Sequence, residues 1–187
     1  METYDQAKIG KCISWIGDHI VYEYGADSVI KFSKSDFLLG SSKKSINDYE
    51  KSRAFFGEYI LETLFVRSVN GRYGAAIQKK IFGRYLCLAD MANIEIRMQC
   101  KDILEAYEKM KNSGAGEIDL IGYGGVFRPC FSNIFINADN KIILIESSIM
   151  EVRGHHFNLL RYIFLFLISP IALTVQHRTV KKFRALI

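Results

Sequence analysis

Two oxygen-bearing side chains stand at matching ends of the stretch "FSNIFINADNKIILIESS", residues 131–148. Asn133 precedes an apolar run, "ADN" offers a turn, and a second apolar run ends on Glu146. Mg²⁺ prefers oxygen donors and is typically held by few protein groups plus phosphates. The pattern therefore predicts either a plain β-hairpin or a hairpin that carries two metal ligands.

Other potentially reactive side chains have ordinary interpretations. The "GYGG" stretch before the hairpin is consistent with a phosphate cradle or with a flexible turn, and no strand and helix flank it in the way a phosphate loop requires. His155 and His156 are adjacent, so they point in different directions and do not predict a metal site. The cysteines form no CxxC pair, which predicts reduced, partly buried thiols in a reducing compartment. These cysteines are Cys12, Cys87, Cys100 and Cys130.

Composition is that of a globular domain. The 187 residues, 49% apolar and 24% charged, suffice for one domain with a core, or for one domain in two small lobes. The net charge of +5 suits an anionic ligand, a membrane surface or nucleic acid about equally. The polar start "METYDQAK" has no apolar core, so we do not expect a secretory signal.

The first part of the chain predicts a sheet with one helix. "CISWIG", "HIVYEYG" and "SVIKFSK" alternate apolar and polar residues, as in a three-stranded antiparallel meander. Ser45 or Asn47 is expected to cap a helix that stops near Gly57. "LETLFVRSVNGRYGAAIQKKIFG" predicts a hairpin, because "NG" is the strongest short hairpin turn signal.

The second part predicts helices around the hairpin. "MANIEIRMQCKDILEAYEKMKNSG" is amphipathic, with Ile103, Leu104, Tyr107 and Met110 on one side and Gly114 at its end. Residues 162–175 carry no charge and are expected to form a helix, broken or kinked near Pro170. This segment is interpreted as a buried core helix, as a peripheral membrane contact aided by the basic tail behind it, or as a single membrane span.

This order of elements resembles the protein kinase-like fold. In "SVIKF", Lys31 resembles the lysine that holds the nucleotide's α- and β-phosphates. Glu50, 19 residues later, is the expected helical partner of that lysine, with Glu58 as the alternative. Gly17 is the candidate for the glycine-rich loop. Lys31 has the alternative interpretation of a solvent-facing strand residue.

The resemblance also assigns the metal and the base. Asn133 looks like the Mg²⁺-binding Asn of the catalytic loop, and Glu146, 13 residues on, stands where the family carries the Asp of DFG. The family's catalytic Asp precedes the Asn by five residues, where this chain has Arg128. Asp119 takes the catalytic role only if the loop bulges and returns. Without the family, Asn133 ends a strand, Glu146 is a surface carboxylate and Asp119 is a turn residue.

The resemblance implies an α+β fold with a small antiparallel-sheet N-lobe and a shortened, mainly helical C-lobe. Residues 1–83 would form the N-lobe, a five-stranded sheet plus a helix, and residues 84–187 the C-lobe, together one two-lobed domain. The implied function is a cytoplasmic phosphotransferase that uses ATP and Mg²⁺ on an unknown protein or small hydroxyl acceptor, with no nucleic-acid partner. A pseudokinase and a membrane-docked α+β interaction domain are the alternatives.

Overall fold

The structure is a computed structural model that describes residues 2–14, 19–33, 43–69, 74–122, 130–150 and 159–187. Of residues 43, 130 and 159–169 it describes the backbone alone. The chain divides into two compact units. The first comprises Met1–Asn47 and Leu61–Phe82, and the second comprises Asp48–Ile60 and Gly83–Ile187. The lobe boundary expected after residue 83 stays a prediction.

The first unit contains a six-stranded, mostly antiparallel sheet. Its strands are β1 (Glu2–Thr3), β2 (Ile9–Ser14), β3 (His19–Tyr24), β4 (Ser28–Ser33), β5 (Thr63–Arg67) and β6 (Gly74–Lys79). The strand order is β1-β5-β6-β4-β3-β2. The predicted meander is confirmed as β2–β3–β4. The predicted hairpin is confirmed as the antiparallel pair β5–β6, while its "NG" turn lies outside the described residues.

The expected five strands gain a sixth, because the two residues of β1 pair in parallel with β5. Alternation along the strands builds an apolar cluster on one face of this sheet. Ile30 and Val66 are almost completely buried there, beside Tyr4. The Tyr4 and Phe32 rings meet edge to face with centroids 5.6 Å apart. Tyr4 therefore belongs to the core of this unit, while Glu2 and Thr3 of β1 are exposed.

Helix α1 spans Lys43–Phe56. Its start at Lys43 shows that the predicted caps, Ser45 and Asn47, are wrong, since both lie inside the helix. Gly57 adopts a φ of +56°, a left-handed conformation that favours glycine and ends the helix where the sequence predicts. Gly57–Tyr59 then form a 3-10 turn.

The second unit contains a three-stranded antiparallel sheet. Its strands are β7 (Gly83–Cys87), β8 (Cys130–Asn137) and β9 (Ile142–Leu144), in that order. The predicted hairpin is confirmed as β8–β9, with Asn140 at a φ of +57° in its turn. Strand β7 was not expected, because the sequence interpretation placed nothing between the first sheet and the following helix.

One cysteine expectation is wrong. Cys87 is disulfide-bonded, and the residue opposite it in the β7–β8 register is Cys130. The absence of a CxxC pair did not predict the oxidised state of Cys87. Cys12 and Cys100 are free, and burial raises the pKa of the Cys100 thiol to about 12. The cytoplasmic location inferred from reduced thiols stays a prediction.

Helix α2 spans Ile94–Asn112 and forms the core of the second unit. The Asn93 side chain caps it by accepting from the Glu95 and Ile96 N–H groups, at 2.9 and 3.3 Å. The predicted apolar face is confirmed, since its four residues are at most 1% exposed. Gly114 lies just beyond the end of the helix with a φ of +76°.

Helix α3 spans Leu159–Arg184 and continues through Pro170, so it is not broken there, and the alternative of a kink stays a prediction. Thr174 Oγ1 donates to the Pro170 carbonyl at 2.8 Å, one turn back along the helix. The Phe183 ring packs against Phe131 of β8 with centroids 4.4 Å apart. Within the described segments, no helix has both the length and the apolar character needed to cross a membrane.

Candidate functional site

The structure brings two of the sequence-predicted residues into direct contact. Asp119 follows the isolated bridge at Ile118, and Asn133 lies in β8. The Asn133 Nδ2 group donates to the Asp119 carbonyl oxygen at 2.9 Å, although 14 residues separate them in the chain. The Asn133 N–H also donates to the Leu120 carbonyl at 3.2 Å. Asp119 and Leu120 therefore lie beside Asn133 of β8.

This contact orients the Asn133 amide. Because Nδ2 faces a carbonyl oxygen, the other amide atom is Oδ1, an acceptor with no hydrogen-bond donor among the described residues. Oδ1 is directed towards Gly122, where an added Cβ would lie only 2.7 Å from it. Gly122 has a φ of +53°, and its N–H donates to Asp119 Oδ1 at 2.9 Å. An unpaired amide oxygen beside a glycine fits a role as a Mg²⁺ ligand.

Glu146 follows the end of β9. The Ile145 N–H donates to the Asn133 carbonyl at 3.0 Å, which extends the hairpin register to the residue before Glu146. Glu146 Oε1 accepts from the Ser147 N–H at 3.1 Å. Glu146 is half-buried and thus lies at the same end of the hairpin as Asn133. In the described part of the chain, no group of three or more His, Cys, Asp or Glu side chains is placed to hold a metal ion.

The segment after Glu146 is held on two sides. On one side, the Asp119 N–H donates to the Ser148 carbonyl at 3.0 Å, and Ile118 forms an antiparallel bridge with Ile149. On the other side, α1 supplies two buried polar side chains. Ser52 Oγ donates to the Ser147 carbonyl at 3.0 Å, and Asp48 Oδ2 accepts from the Ile149 N–H at 3.3 Å. The backbone next to Glu146 is therefore fixed.

A polar cluster stands immediately before Asp119. The Glu117 carboxylate accepts a hydrogen bond from the buried Tyr107 hydroxyl, and the His177 Nε2 lies 2.7 Å from its Oε2. Burial raises the pKa of Glu117, but the Tyr107 and His177 hydrogen bonds and the nearby His177 and Lys111 charges outweigh burial and lower it. Burial and the bond to Glu117 raise the pKa of Tyr107. The Glu117 carboxylate, two residues before Asp119, is therefore held by Tyr107 and His177.

The predicted nucleotide residues lie in different units. Lys31 is half-buried in β4, opposite Val21 of β3 and Ala76 of β6, in the first unit. Glu50 is exposed on the α1 portion that belongs to the second unit, and Glu58 is exposed in the 3-10 turn that follows. The pairing of Lys31 with either glutamate stays a prediction.

Several sequence candidates lie outside the described residues. Gly17, Arg128, His155 and His156 all belong to this group. The "GYGG" stretch is represented only by Gly122, whose N–H contacts an Asp119 carboxylate oxygen. Gly122 therefore packs against an amide and a carboxylate of the protein itself.

Neither Gln176 nor Ser52 was predicted from the sequence, and Gly122 was considered only as part of a phosphate cradle or a turn. Gly122 makes room for the Asn133 amide, Gln176 of α3 contacts the backbone on both sides of Asp119, and Ser52 contacts the backbone after Glu146. Gln176 directly follows the apolar run of α3 and lies at helical spacing from Val180 and Phe183, on the buried face of the helix. This spacing is the sequence signal that could have identified Gln176. A buried glutamine requires hydrogen-bond partners.

The order of the elements defines the fold class. A meander, a helix and a hairpin are followed by a helix, a second hairpin that bears Asn133, and a final helix. This is the element order that the kinase-like resemblance implies, with few elements after the second hairpin. The chain therefore has a kinase-like α+β fold with a shortened C-lobe.

Comparisons with solved structures give low sequence identity. The chain is similar to the apo pseudokinase GRMZM2G135359, with a TM-score of 0.44, 11% identity, and coverage of 79% of this chain and 62% of that one. It is also similar to the Legionella pneumophila kinase Lpg2603 bound to IP6, with a TM-score of 0.43, 14% identity, and coverage of 91% and 58%. The chain thus spans about three fifths of these two proteins. No family model and no curated protein matches it.

Proposed function

We propose that the protein is a phosphotransferase that moves the γ-phosphoryl group of Mg-ATP to a hydroxyl group of a protein or small molecule. The observation that carries the proposal is the hydrogen bond from Asn133 Nδ2 to the Asp119 carbonyl. It joins the candidate metal ligand to the candidate base. It also leaves the Asn133 amide oxygen available, since no described residue donates to it.

Each residue has a role that its chemistry allows. Lys31 would neutralise phosphate charge, and Glu50 would hold Lys31 in place. Asn133 Oδ1 and the Glu146 carboxylate would hold Mg²⁺, which supplies charge stabilisation at the transferred phosphoryl group. Asp119 would orient the acceptor hydroxyl and take its proton. Positioning and electrostatics of this kind account for most of the catalysis in phosphoryl transfer.

Substitution of Asp119 tests the proposal. Loss of a general base typically lowers a rate by about 10²–10⁴-fold. We expect Asp119→Asn to lose transfer to that extent and to keep its ATP affinity, because the base contacts the acceptor and not the nucleotide. Asp139→Asn is the control, since Asp139 is an exposed residue of the β8–β9 turn. Equal transfer by the two variants would contradict the role of Asp119.

A pseudokinase is the second candidate function. The observation that favours it is Arg128, which stands five residues before Asn133, where the family carries its catalytic Asp. In this case the protein binds nucleotide and regulates a partner without transfer. A radiolabelled ATP assay distinguishes the two candidates. Nucleotide binding without turnover, with every acceptor tried and with water, favours the pseudokinase.

We also propose a peripheral contact between α3 and anionic membranes. Arg178, Lys181 and Lys182 are exposed at helical spacing, and Ile171 is 60% exposed further back along the helix. Basic residues near an anionic surface contribute about 1 kcal/mol each. The paired substitution Lys181→Gln and Lys182→Gln should weaken sedimentation with phosphatidylserine vesicles. Equal binding of parent and variant would contradict the contact, as would equal binding to neutral vesicles.

A further inference from the structure

One buried side chain holds the peptide units on both sides of Asp119. Gln176 of α3 is 0% exposed. Its Oε1 accepts from the Leu120 N–H at 2.8 Å, and its Nε2 donates to the Ile118 carbonyl at 3.0 Å. The carboxamide therefore bonds to alternate residues, as a neighbouring β-strand would. Gln176 lies 56 residues after Leu120 in the chain.

The Glu117 carbonyl and both backbone polar groups of Asp119 bond to partners other than Gln176. The Glu117 carbonyl accepts from the Met150 N–H at 2.8 Å, and the Asp119 N–H donates to the Ser148 carbonyl at 3.0 Å. The Asp119 carbonyl accepts from Asn133 Nδ2. Successive residues of an extended chain direct their polar groups to opposite sides. Gln176 thus covers the side of the segment that faces away from residues 148–150.

Gln176 is itself fixed by a further contact. Its Nε2 also donates to the Tyr107 hydroxyl at 3.3 Å, and that hydroxyl donates to the Glu117 carboxylate. Its carboxamide therefore uses both of its polar atoms on three partners, one of them a side chain of α2. A buried glutamine with this set of partners has little freedom to rotate.

We propose that Gln176 is a positioning residue for the candidate site. By bonding to residues 118 and 120 it fixes the backbone of Asp119 and, through the Asp119 carbonyl, the orientation of the Asn133 amide. The Asp119 carboxylate then stays within hydrogen-bond distance of the Gly122 N–H. Hydrogen exchange of the Gly122 amide therefore reports whether the carboxylate keeps its position. This role rests on the proposed function, since it makes Gln176 act through Asp119 and Asn133.

Amide hydrogen exchange and kinetics of Gln176→Met test the role. Methionine retains most of the volume and removes both polar atoms, so the Leu120 N–H and the Ile118 carbonyl lose their partner. We expect the Leu120 and Gly122 amides to exchange about tenfold faster or more, because loss of a hydrogen bond of this kind corresponds to about tenfold in an equilibrium constant. We also expect kcat to fall about tenfold or more, with the KM for Mg-ATP within about twofold of the parent value.

Two further variants separate positioning from stability. Val180→Ala shortens a buried apolar side chain of the same helix, one turn on, and removes no hydrogen bond of residues 118–122. It should lower the melting temperature and leave kcat and the two exchange rates near those of the parent. Gln176→Glu keeps an acceptor for the Leu120 N–H, so it should restore protection of that amide relative to Gln176→Met.

The outcomes distinguish this role from the proposed function. An unchanged kcat in Gln176→Met, or equal changes in Val180→Ala, would overturn the positioning role while the parent still transfers phosphate. A parent that binds no Mg-ATP would overturn the proposed function and the positioning role with it, whatever the exchange rates show. In a parent that binds Mg-ATP without turnover, the readout is the Mg²⁺-dependent part of the ATP affinity. Gln176→Met should lower that part, and an unchanged value would contradict the role.

Discussion

The substitution Gly122→Ala should disable the candidate metal site through one added methyl group. Gly122 has a φ of +53°, and the new Cβ would lie 2.7 Å from Asn133 Oδ1 and 3.0 Å from its Cγ. The amide has little freedom to retreat, because its Nδ2 is hydrogen-bonded to the Asp119 carbonyl at 2.9 Å. Ordinary contact begins at about 3.4 Å, so the oxygen must move by several tenths of an ångström.

Two costs follow from this geometry and can be separated. The left-handed backbone conformation costs an alanine about 1–2 kcal/mol of unfolding free energy. Displacement of the oxygen weakens one metal contact, and Mg²⁺ demands near-ideal octahedral geometry. A lost interaction with a charged group is worth about 1.5–3 kcal/mol. The Mg²⁺-dependent gain in ATP affinity should therefore fall about tenfold to about a hundredfold.

Gly57→Ala is the matched control for Gly122→Ala. Gly57 lies in the same compact unit with a φ of +56°, and an added Cβ there would meet no atom within 4 Å. Both variants should lose similar unfolding free energy in urea, while only Gly122→Ala loses Mg²⁺-dependent binding in calorimetry. If both variants remain folded and bind Mg-ATP equally well, Asn133 Oδ1 is not a metal ligand.

Three other substitutions test the roles of Lys31, Glu146 and Glu117. Lys31→Met should weaken ATP binding by about 1.5–3 kcal/mol, whereas Lys79→Met on the same sheet should not; equal affinities would remove Lys31 from the site. Glu146→Gln should lower the Mg²⁺-dependent part of ATP binding and preserve the metal-free part, and a change confined to the metal-free part would contradict its role. Glu117 has a folded-state pKa below its ordinary value of 4.5, so its stabilisation is present above pH 4.5 and is lost as the pH falls through the lower folded-state pKa. Urea unfolding should therefore show a smaller loss of stability on acidification for Glu117→Gln than for the parent or for Glu105→Gln, and parallel losses would contradict this.

Local patterns predicted most of the elements. Alternation along β2, β3 and β4, the "NG" between β5 and β6, and the helical spacing in α2 each arise from neighbouring residues. The elements that the sequence did not predict depend on pairing between residues far apart in the chain. Strand β7 exposes Tyr85 and buries Leu86, and its partner β8 begins 43 residues after Cys87, so its own sequence gives little signal.

The site was partly predictable for the same reason. Asn133 and Glu146 were suggested by a hairpin that is local in sequence. The contact between Asp119 and Asn133 joins residues that are 14 apart in the chain, and the sequence offered only the condition under which they could meet. Gln176 acts from 56 residues away, and its role depends on hydrogen bonds that no periodicity predicts.

Calorimetric titration of the parent protein with ATP, with and without Mg²⁺, tests the proposed nucleotide and metal site. We expect ATP to bind without metal, Mg²⁺ to tighten the binding, and Asn133→Ala to remove most of this tightening while the protein stays folded. No binding of ATP under either condition would contradict a nucleotide site. Binding that Mg²⁺ tightens equally in the parent and in Asn133→Ala would show that the β8–β9 hairpin is structural and does not hold the metal.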